Sequence, residues 1–373
     1  MNFKKNIINI PGYRINRRII IIESDDWGSI RMPSKEVYYS LLKKGIRVDN
    51  CPYCKYDSLA SEEDLSALFE VLTSFKDKNG NHPIITANTV VTNPNFDRIK
   101  ASGFQEYYYE PFIDTLKKYP NHNRSFELWR QGIKSNIFHP QFHGREHLNV
   151  PLWMNCLLRD HKETLNMFTY NTWGGEIDIP SYRYPFYMAG FDYSHKQEED
   201  FIKESIKDGM NIFEQLFHYR SKTFIANCYI WNDFIEKTLY EAGVEAIQGS
   251  IYQTFPLYTR QILNKKGRYH FMGQKNKFGQ RYLIRNCYLE PSQYPQYDNV
   301  DRCLKSIEIA FKWHKPAIIS MHRLNVIGSI CKNNQDRGLK SLKRLLTEVI
   351  KKWPDVEFLA SDDLADLFIN TKQ

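Results

Sequence analysis

Residues 18–28 read RIIIIESDDWG, and this stretch decides the fold. Four successive isoleucines sit between Arg18 and Glu23. An apolar run this short, with charged residues at both ends, reads as a strand buried on both faces, as strands of a parallel sheet are. The strand leads directly into Asp25-Asp26-Trp27-Gly28, so two carboxylates stand at its C-terminal end.

The same rhythm recurs along the chain. Further strands are expected at 83–91, 135–139, 223–227, 244–248, 281–287, 316–322 and 356–361. Helical patterns fall between them, at 34–44, 61–76, 110–118, 125–134, 149–167, 196–219, 232–242, 299–313, 335–352 and 362–369. Ser61 with Asp64 resembles a capping box at the second of these. Strands alternating with helices imply a parallel α/β sheet, and about seven such units fit a barrel. No Gly-, Ser- or Pro-rich linker divides the chain. We expect an N-terminal tail at 1–13 and a single catalytic domain at 14–370. It carries an insertion at about 249–281 and a long Gly-, Pro- and Tyr-rich loop at 168–195. In such a barrel the chemistry belongs at the C-terminal ends of strands.

Composition narrows the class. The chain has 373 residues, of which 42% are hydrophobic and 25% charged, ample for a large core. The mean hydropathy is −0.56 and no apolar run is long enough to span a bilayer. The N-terminal apolar stretch is broken by Asn6, Asn9 and Pro11, unlike a secretory signal, so a cytoplasmic protein is expected. The net charge of +8 is scattered without a basic block, which argues against nucleic acid as partner. The aromatic share of 14% suits a large core and also sugar stacking. Seven cysteines, an odd number at low density, read as reduced thiols. Cys51-Pro-Tyr-Cys54 lacks the second pair a zinc knuckle would need and reads as two loop cysteines.

Histidines and acids gather at strand ends. His139 and His143 are spaced i, i+4, with Pro140 suited to the first position of a helical turn. Such a turn would put both rings on one side, where two imidazoles share a metal. His147 continues the series as a third ligand, a substrate contact or a support to the ligands. Asp25 and Asp26, adjacent on an extended strand end, are expected to point opposite ways. One carboxylate with two histidines leaves an open position on a divalent ion, the pattern of a catalytic zinc; cobalt or nickel fits the same donors. The other carboxylate is then available as a general base. His322 ends the strand at 316–322, where a protonated imidazole could serve a leaving group, and Arg323 beside it could hold a carboxylate. The polar segments Arg285–Pro291 and Trp173–Glu176 are placed to line the cleft.

Together these residues resemble the polysaccharide deacetylase superfamily, the NodB-homology fold of the family-four carbohydrate esterases. The resemblance rests on Ser24-Asp25-Asp26-Trp27-Gly28, on His139-Pro-Gln-Phe-His143 and on Ile318-Ile-Ser-Met-His322, in the family's order. It implies a distorted (β/α)7 barrel. It further implies Asp25 as base, Asp26, His139 and His143 as metal ligands, and His322 as the catalytic acid. The family's Arg-x-Pro-Tyr motif is absent: the corresponding strand reads Ile225-Ala-Asn-Cys-Tyr229-Ile-Trp231. Tyr229 would keep its position, near the backbone amide that serves the oxyanion, and Arg285 or Arg323 would replace the missing arginine that braces the base. The segment Gly144-Arg145-Glu146-His147 goes beyond the family pattern and marks a divergent branch. Trp27, Arg145 and His147 complete the residues expected near substrate.

The activity implied is metal-dependent removal of an N-acetyl group from an amino sugar, with acetate released. A polysaccharide or a cytoplasmic glycan precursor would be the substrate. Two alternatives share the fold: hydrolysis of another non-peptide C–N amide bond, and a degenerate carbohydrate-binding protein without turnover.

Overall fold

The computed structural model describes residues 2–175 and 187–370. Its main sheet has nine strands, all of whose pairings are parallel. In chain order they are β1 (Ile19–Trp27), β2 (Ile85–Thr89), β3 (Phe138–Phe142), β4 (Thr223–Ile225), β5 (Ala246–Gly249), β6 (Arg281–Ile284), β7 (Cys287–Tyr288), β8 (Ala317–His322) and β9 (Glu357–Phe358). The spatial order is β6-β5-β4-β3-β2-β1-β8-β7, with β9 added to β1. Without the two-residue strands β7 and β9, seven strands remain, each joined to the next by a helical crossover or a longer excursion.

The sheet's two outer strands, β6 and β7, are consecutive in sequence. Only Arg285 and Asn286 separate them. The Arg285 amide donates to the Gly249 carbonyl at the end of β5, and the Asn286 amide donates to the Ile318 carbonyl in β8. The single strand expected at 281–287 is therefore broken at Arg285, and the chain steps across the open side of the barrel in two residues.

The core follows the apolar pattern. Ile19–Ile22 are at most 1% exposed, as a strand covered on both faces requires. The helix Glu198–Phe217 buries Ile202, Ile206, Met210, Phe213 and Phe217, spaced by three or four, which is one face of a 3.6-residue period. The capping box at Ser61 and Asp64 forms in both directions and opens the helix Glu62–Thr73.

Some elements differ from expectation. The residues read as an N-terminal tail contain a helix, Asn2–Asn9, lying against the helix Asn299–Lys312. The helix expected at 149–167 is two, Val150–Leu158 and Lys162–Phe168, because Asp160 adopts a left-handed φ of 56°. The insertion at 249–281 holds an antiparallel pair, Tyr252–Thr254 with Gly267–Tyr269, and a short helix, Leu257–Leu263. Of the two cysteines read as loop residues, Cys51 precedes the helix Pro52–Tyr56 in extended backbone and Cys54 lies within it; both are buried thiols. The expected loop at 168–195 lies partly outside the described residues.

Candidate active site

β1 does not end as a flat strand. Its register against β2 shifts between Ser24 and Trp27, and Asp26 takes a left-handed φ of 75°. A regular strand would send Asp25 and Asp26 to opposite faces, as expected above. The bulge turns both carboxylates into one cavity of about 310 Å³, lined also by His143, His147, Tyr229 and His322. Gly28 completes the turn at φ 80°, where a Cβ would lie 2.3 Å from the Val90 carbonyl oxygen.

The two acids then face different neighbours. Asp26 Oδ1 lies 3.1 Å from His147 Nε2 and 3.6 Å from His143 Nε2. These ligand atoms, all buried, lie within 4.8 Å of one another. Two donors on a tetrahedral ion at about 2.1 Å would be roughly 3.4 Å apart, so the spacing suits a divalent cation. The donor chemistry suits it too. His143 Nδ1 lies 2.8 Å from the Ile225 carbonyl, to which it donates, so Nε2 keeps its lone pair as an acceptor, with Asn227 Nδ2 3.3 Å away. Burial and the nearby Arg31 guanidinium push His147 down to about 4, so it is neutral at ordinary pH. Burial alone would raise the Asp26 carboxyl, but the Arg31 guanidinium outweighs it and holds it well below the usual range. Asp26 Oδ2 and His147 Nδ1 are buried without a hydrogen-bond partner among the described residues. Zinc, cobalt and nickel all accept this donor set.

His139 is not part of this group. Its Nε2 lies 2.8 Å from Asp362 Oδ2, and its ring stacks on Tyr219. The expectation of a helical turn at Pro140 fails because residues 138–142 form β3. In a strand, positions four apart are separated by roughly 13 Å, too far to share an ion. His143 has its partner four residues onward, at His147, where the chain has left the strand.

Asp25 occupies the second neighbourhood. Arg285 Nη1 donates to Oδ2 and Nη2 to Oδ1, each at 2.6 Å, while Nε donates to Glu23 at 2.6 Å. Asn88 Nδ2 adds a bond to Asp25 Oδ1 at 2.7 Å. Burial works against ionisation here, but Arg285, aided by His322, drives the Asp25 carboxyl far below its ordinary value. His322 Nε2 is 3.7 Å from Asp25 Oδ2, and its Nδ1 is 2.6 Å from Glu290. Burial lowers the imidazole's affinity for protons, yet Glu290 and Asp25 more than reverse this and raise it to about 9. His322 is therefore an imidazolium at neutral pH, with Nδ1–H on Glu290 and Nε2–H toward the cavity.

Of the two arginines expected to brace the base, Arg285 does so. Arg323 is buried elsewhere, on Asp57 and the Ser29 carbonyl. Tyr229 lines the cavity and its hydroxyl accepts from Arg285 at 3.2 Å, but its amide is already given to the Ala226 carbonyl. Trp27 and Arg145 also lie away from the cavity. Trp27 packs on Trp129 and Phe138 in the core, and Arg145 pairs with Glu146 and Asp208. Trp173 stacks on His147 at 6.4 Å; Glu176 lies outside the described residues.

Four cavity groups escaped the sequence reading as individuals. Arg31 is buried, with Nη2 3.2 Å from Asp26 Oδ2 and its guanidinium over Trp173. Tyr53 places its hydroxyl 3.2 Å from His322 Nε2. Glu290 carries the imidazolium, and Asn88 holds Asp25. Only Glu290 had a signal, as the acid in the polar segment after β6.

No family model matches the sequence, and no curated protein is similar to it in sequence. Among solved structures, the chain aligns over 96% of its length with a 4-alpha-glucanotransferase from Thermococcus litoralis, at 10% identity and a TM-score of 0.46. It spans 41% of that enzyme's length. The allantoinase Puue aligns over 95% of this chain and 92% of its own, at 11% identity and a TM-score of 0.49. A candidate polysaccharide deacetylase from Mycobacterium smegmatis aligns over 96% of this chain and 93% of its own, at 10% identity and a TM-score of 0.44.

Proposed function

We propose that this protein is a metal-dependent hydrolase that removes the acetyl group from an N-acetylated amino sugar and releases acetate. The observation that carries the reading is the division of two adjacent carboxylates between two tasks. Asp26 faces His143 and His147, a donor set for one divalent ion. Asp25 faces Arg285 and His322 across the same cavity. The motif order in the sequence, which resembles the polysaccharide deacetylases, supports the same assignment once His143 and His147 are taken as the histidine pair.

Asp26, His143 and His147 would hold the ion. It would supply Lewis acidity, making water acidic near neutral pH and polarising the acetyl carbonyl. Asp25 is the proton acceptor: its position is fixed by Arg285 and Asn88, and it is ionised at any working pH. His322 is the proton donor to the departing nitrogen, charged because Glu290 keeps it so. The Tyr53 hydroxyl, 3.2 Å from Nε2, limits the swing of the imidazole, and Gln293 Nε2 donates to that hydroxyl at 3.2 Å. Tyr288 and Tyr294, about half exposed, offer faces for a sugar ring at the cavity mouth.

The test is acetate release from a panel of N-acetylated sugars by the zinc-loaded protein, beside His143→Ala. Release by the wild type that disappears in the variant with its metal is the expected result. Metal binding with turnover of another amide and none of the sugars would move the same machinery to a different C–N bond. Bound glycan with neither metal nor turnover would replace the hydrolase with a binding protein.

A further inference from the structure

The catalytic cavity does not end at His322. Tyr288, Glu290 and Tyr294 line both it and a second cavity, of about 310 Å³, that continues to Asn299, Arg302 and Ser306. Asn299 in turn lines a third, of about 460 Å³, with Tyr297, Arg337, Lys340 and Arg344. Shared lining residues set the three end to end, and we read them as one groove. It leaves the active site along the segment after β7 and ends between the helices Asn299–Lys312 and Lys332–Lys352.

The far end is cationic by construction. Arg302 lies one turn after Asn299 on its helix, and Arg337, Lys340 and Arg344 follow at three- and four-residue spacing along one face of the other. Neither Arg302 nor Lys340 makes a side-chain ion pair or hydrogen bond with any described residue. Arg302 instead lies over the Tyr297 ring at 4.4 Å. Arg337 spends one nitrogen on Asn334, and its Nε is buried without a hydrogen-bond partner among the described residues. The acids nearby are committed: Asp298 to Arg344, Asp301 to Lys305, and Glu290 to His322. Tyr288, Tyr294 and Tyr297 stand about half exposed along the way, at 47%, 48% and 52%. Sugar rings stack on such faces, and an anionic group would meet uncompensated positive charge beyond them.

We propose that this groove seats an anionic extension of the substrate, a glycan carrying phosphate or carboxylate groups some residues away from the acetylated sugar. The inference rests on the hydrolase reading for the identity of that sugar, while the groove itself stands on the placement of its own residues. Arg302, Lys340 and Arg337 are then specificity determinants that act on binding and not on the chemical step.

The experiment is equilibrium binding of three dye-labelled tetrasaccharides to the full chain at low and high salt. The probes are N-acetylated chitotetraose, the same tetramer bearing a phosphate, and a heparosan tetrasaccharide bearing uronates. The wild type should prefer an anionic probe over the neutral one by about tenfold at low salt, the preference shrinking as salt screens it. In Arg302→Glu/Lys340→Glu the preference should fall to unity or reverse, with an unchanged urea midpoint. Preference for phosphate alone or uronate alone supports the proposal and names the anion. Equal binding of all three by the wild type, or a preference that survives the double charge reversal, overturns it. Selective binding without acetate release would sink the deacetylase reading and leave the groove standing.

Discussion

Arg285 grips Asp25 as a fork: Nη1 lies 2.6 Å from Oδ2 and Nη2 2.6 Å from Oδ1, with both side chains almost wholly buried. The same guanidinium reaches Glu23 through Nε. One cation thus serves two carboxylates, Glu23 and Asp25, and it comes from 260 residues beyond Asp25 in sequence.

Removing that cation should be costly for fold and activity together. Arg285→Met leaves two buried acids without their partner, and we expect a loss of about 3–5 kcal/mol in urea unfolding. Arg285→Lys keeps the charge but not the two-pronged geometry. It should recover part of the stability and little of the acetate release. A Met variant as stable as wild type would contradict the role assigned to the fork.

Metal content separates the two histidine pairs. His147→Ala, His143→Ala and Asp26→Asn should each weaken zinc binding by about 100-fold or more, measured by titration calorimetry. His139→Ala should bind zinc as wild type does and lose only about 1 kcal/mol of stability with its half-buried Asp362 partner. Loss of zinc in His139→Ala would restore the ligand set read from the i, i+4 spacing.

His322 predicts a pH window. Its proton affinity rises from 6.5 to about 9 on folding. A raised value in the folded state means more protons bound in the native form between those limits. The contribution is therefore whole below about pH 6.5 and is lost as pH climbs through about 9, on the order of 3 kcal/mol. Glu290→Gln should flatten this decline and shift the alkaline limb of acetate release to lower pH. An alkaline limb that stays in place in Glu290→Gln would remove His322 as the proton donor.

Gly28→Ala tests the bulge. A methyl group there meets the Val90 carbonyl oxygen at 2.3 Å, and φ of 80° is strained for alanine in any case. We expect about 2–3 kcal/mol of destabilisation and weakened zinc binding, since the turn that aims Asp26 is the one being forced. Unchanged thermal unfolding would show that the turn relaxes freely.

Much of this was legible in the sequence because it depends on local pattern. Ile19–Ile22 announce a strand covered on both faces, and Asp25, Asp26, His143 and His322 stand at strand ends, where a barrel puts its chemistry. What failed was geometry that neighbours impose. Pro140 reads as a helix start, yet it lies inside β3. Its carbonyl turns away from β2 and accepts from the Tyr219 hydroxyl at 2.7 Å; on that side β3 pairs with β4 only at Phe142, so the missing N–H costs nothing. The reading of that one residue set the strand end at 139 where the structure has 142, and put His139 in the place beside Asp26 that His147 holds. Arg31, Tyr53 and Asn88 reach the site by long-range packing, which leaves no periodic trace along the chain. Arg285 was visible only as one of two arginines that could fill a gap.

The two-residue step between β6 and β7 bears on how this protein behaves in crowded solution. An open sheet normally offers two unpaired ladders, each a template for a strand from another molecule. Here both belong to one short stretch of chain and face each other across Arg285 and Asn286. Asn286 takes the Ile318 amide with its side-chain oxygen at 2.9 Å and gives its side-chain nitrogen to the Pro316 carbonyl at 3.0 Å, occupying groups that an intruding strand would need. Self-association by strand addition is thereby blocked at the joint where the barrel fails to close.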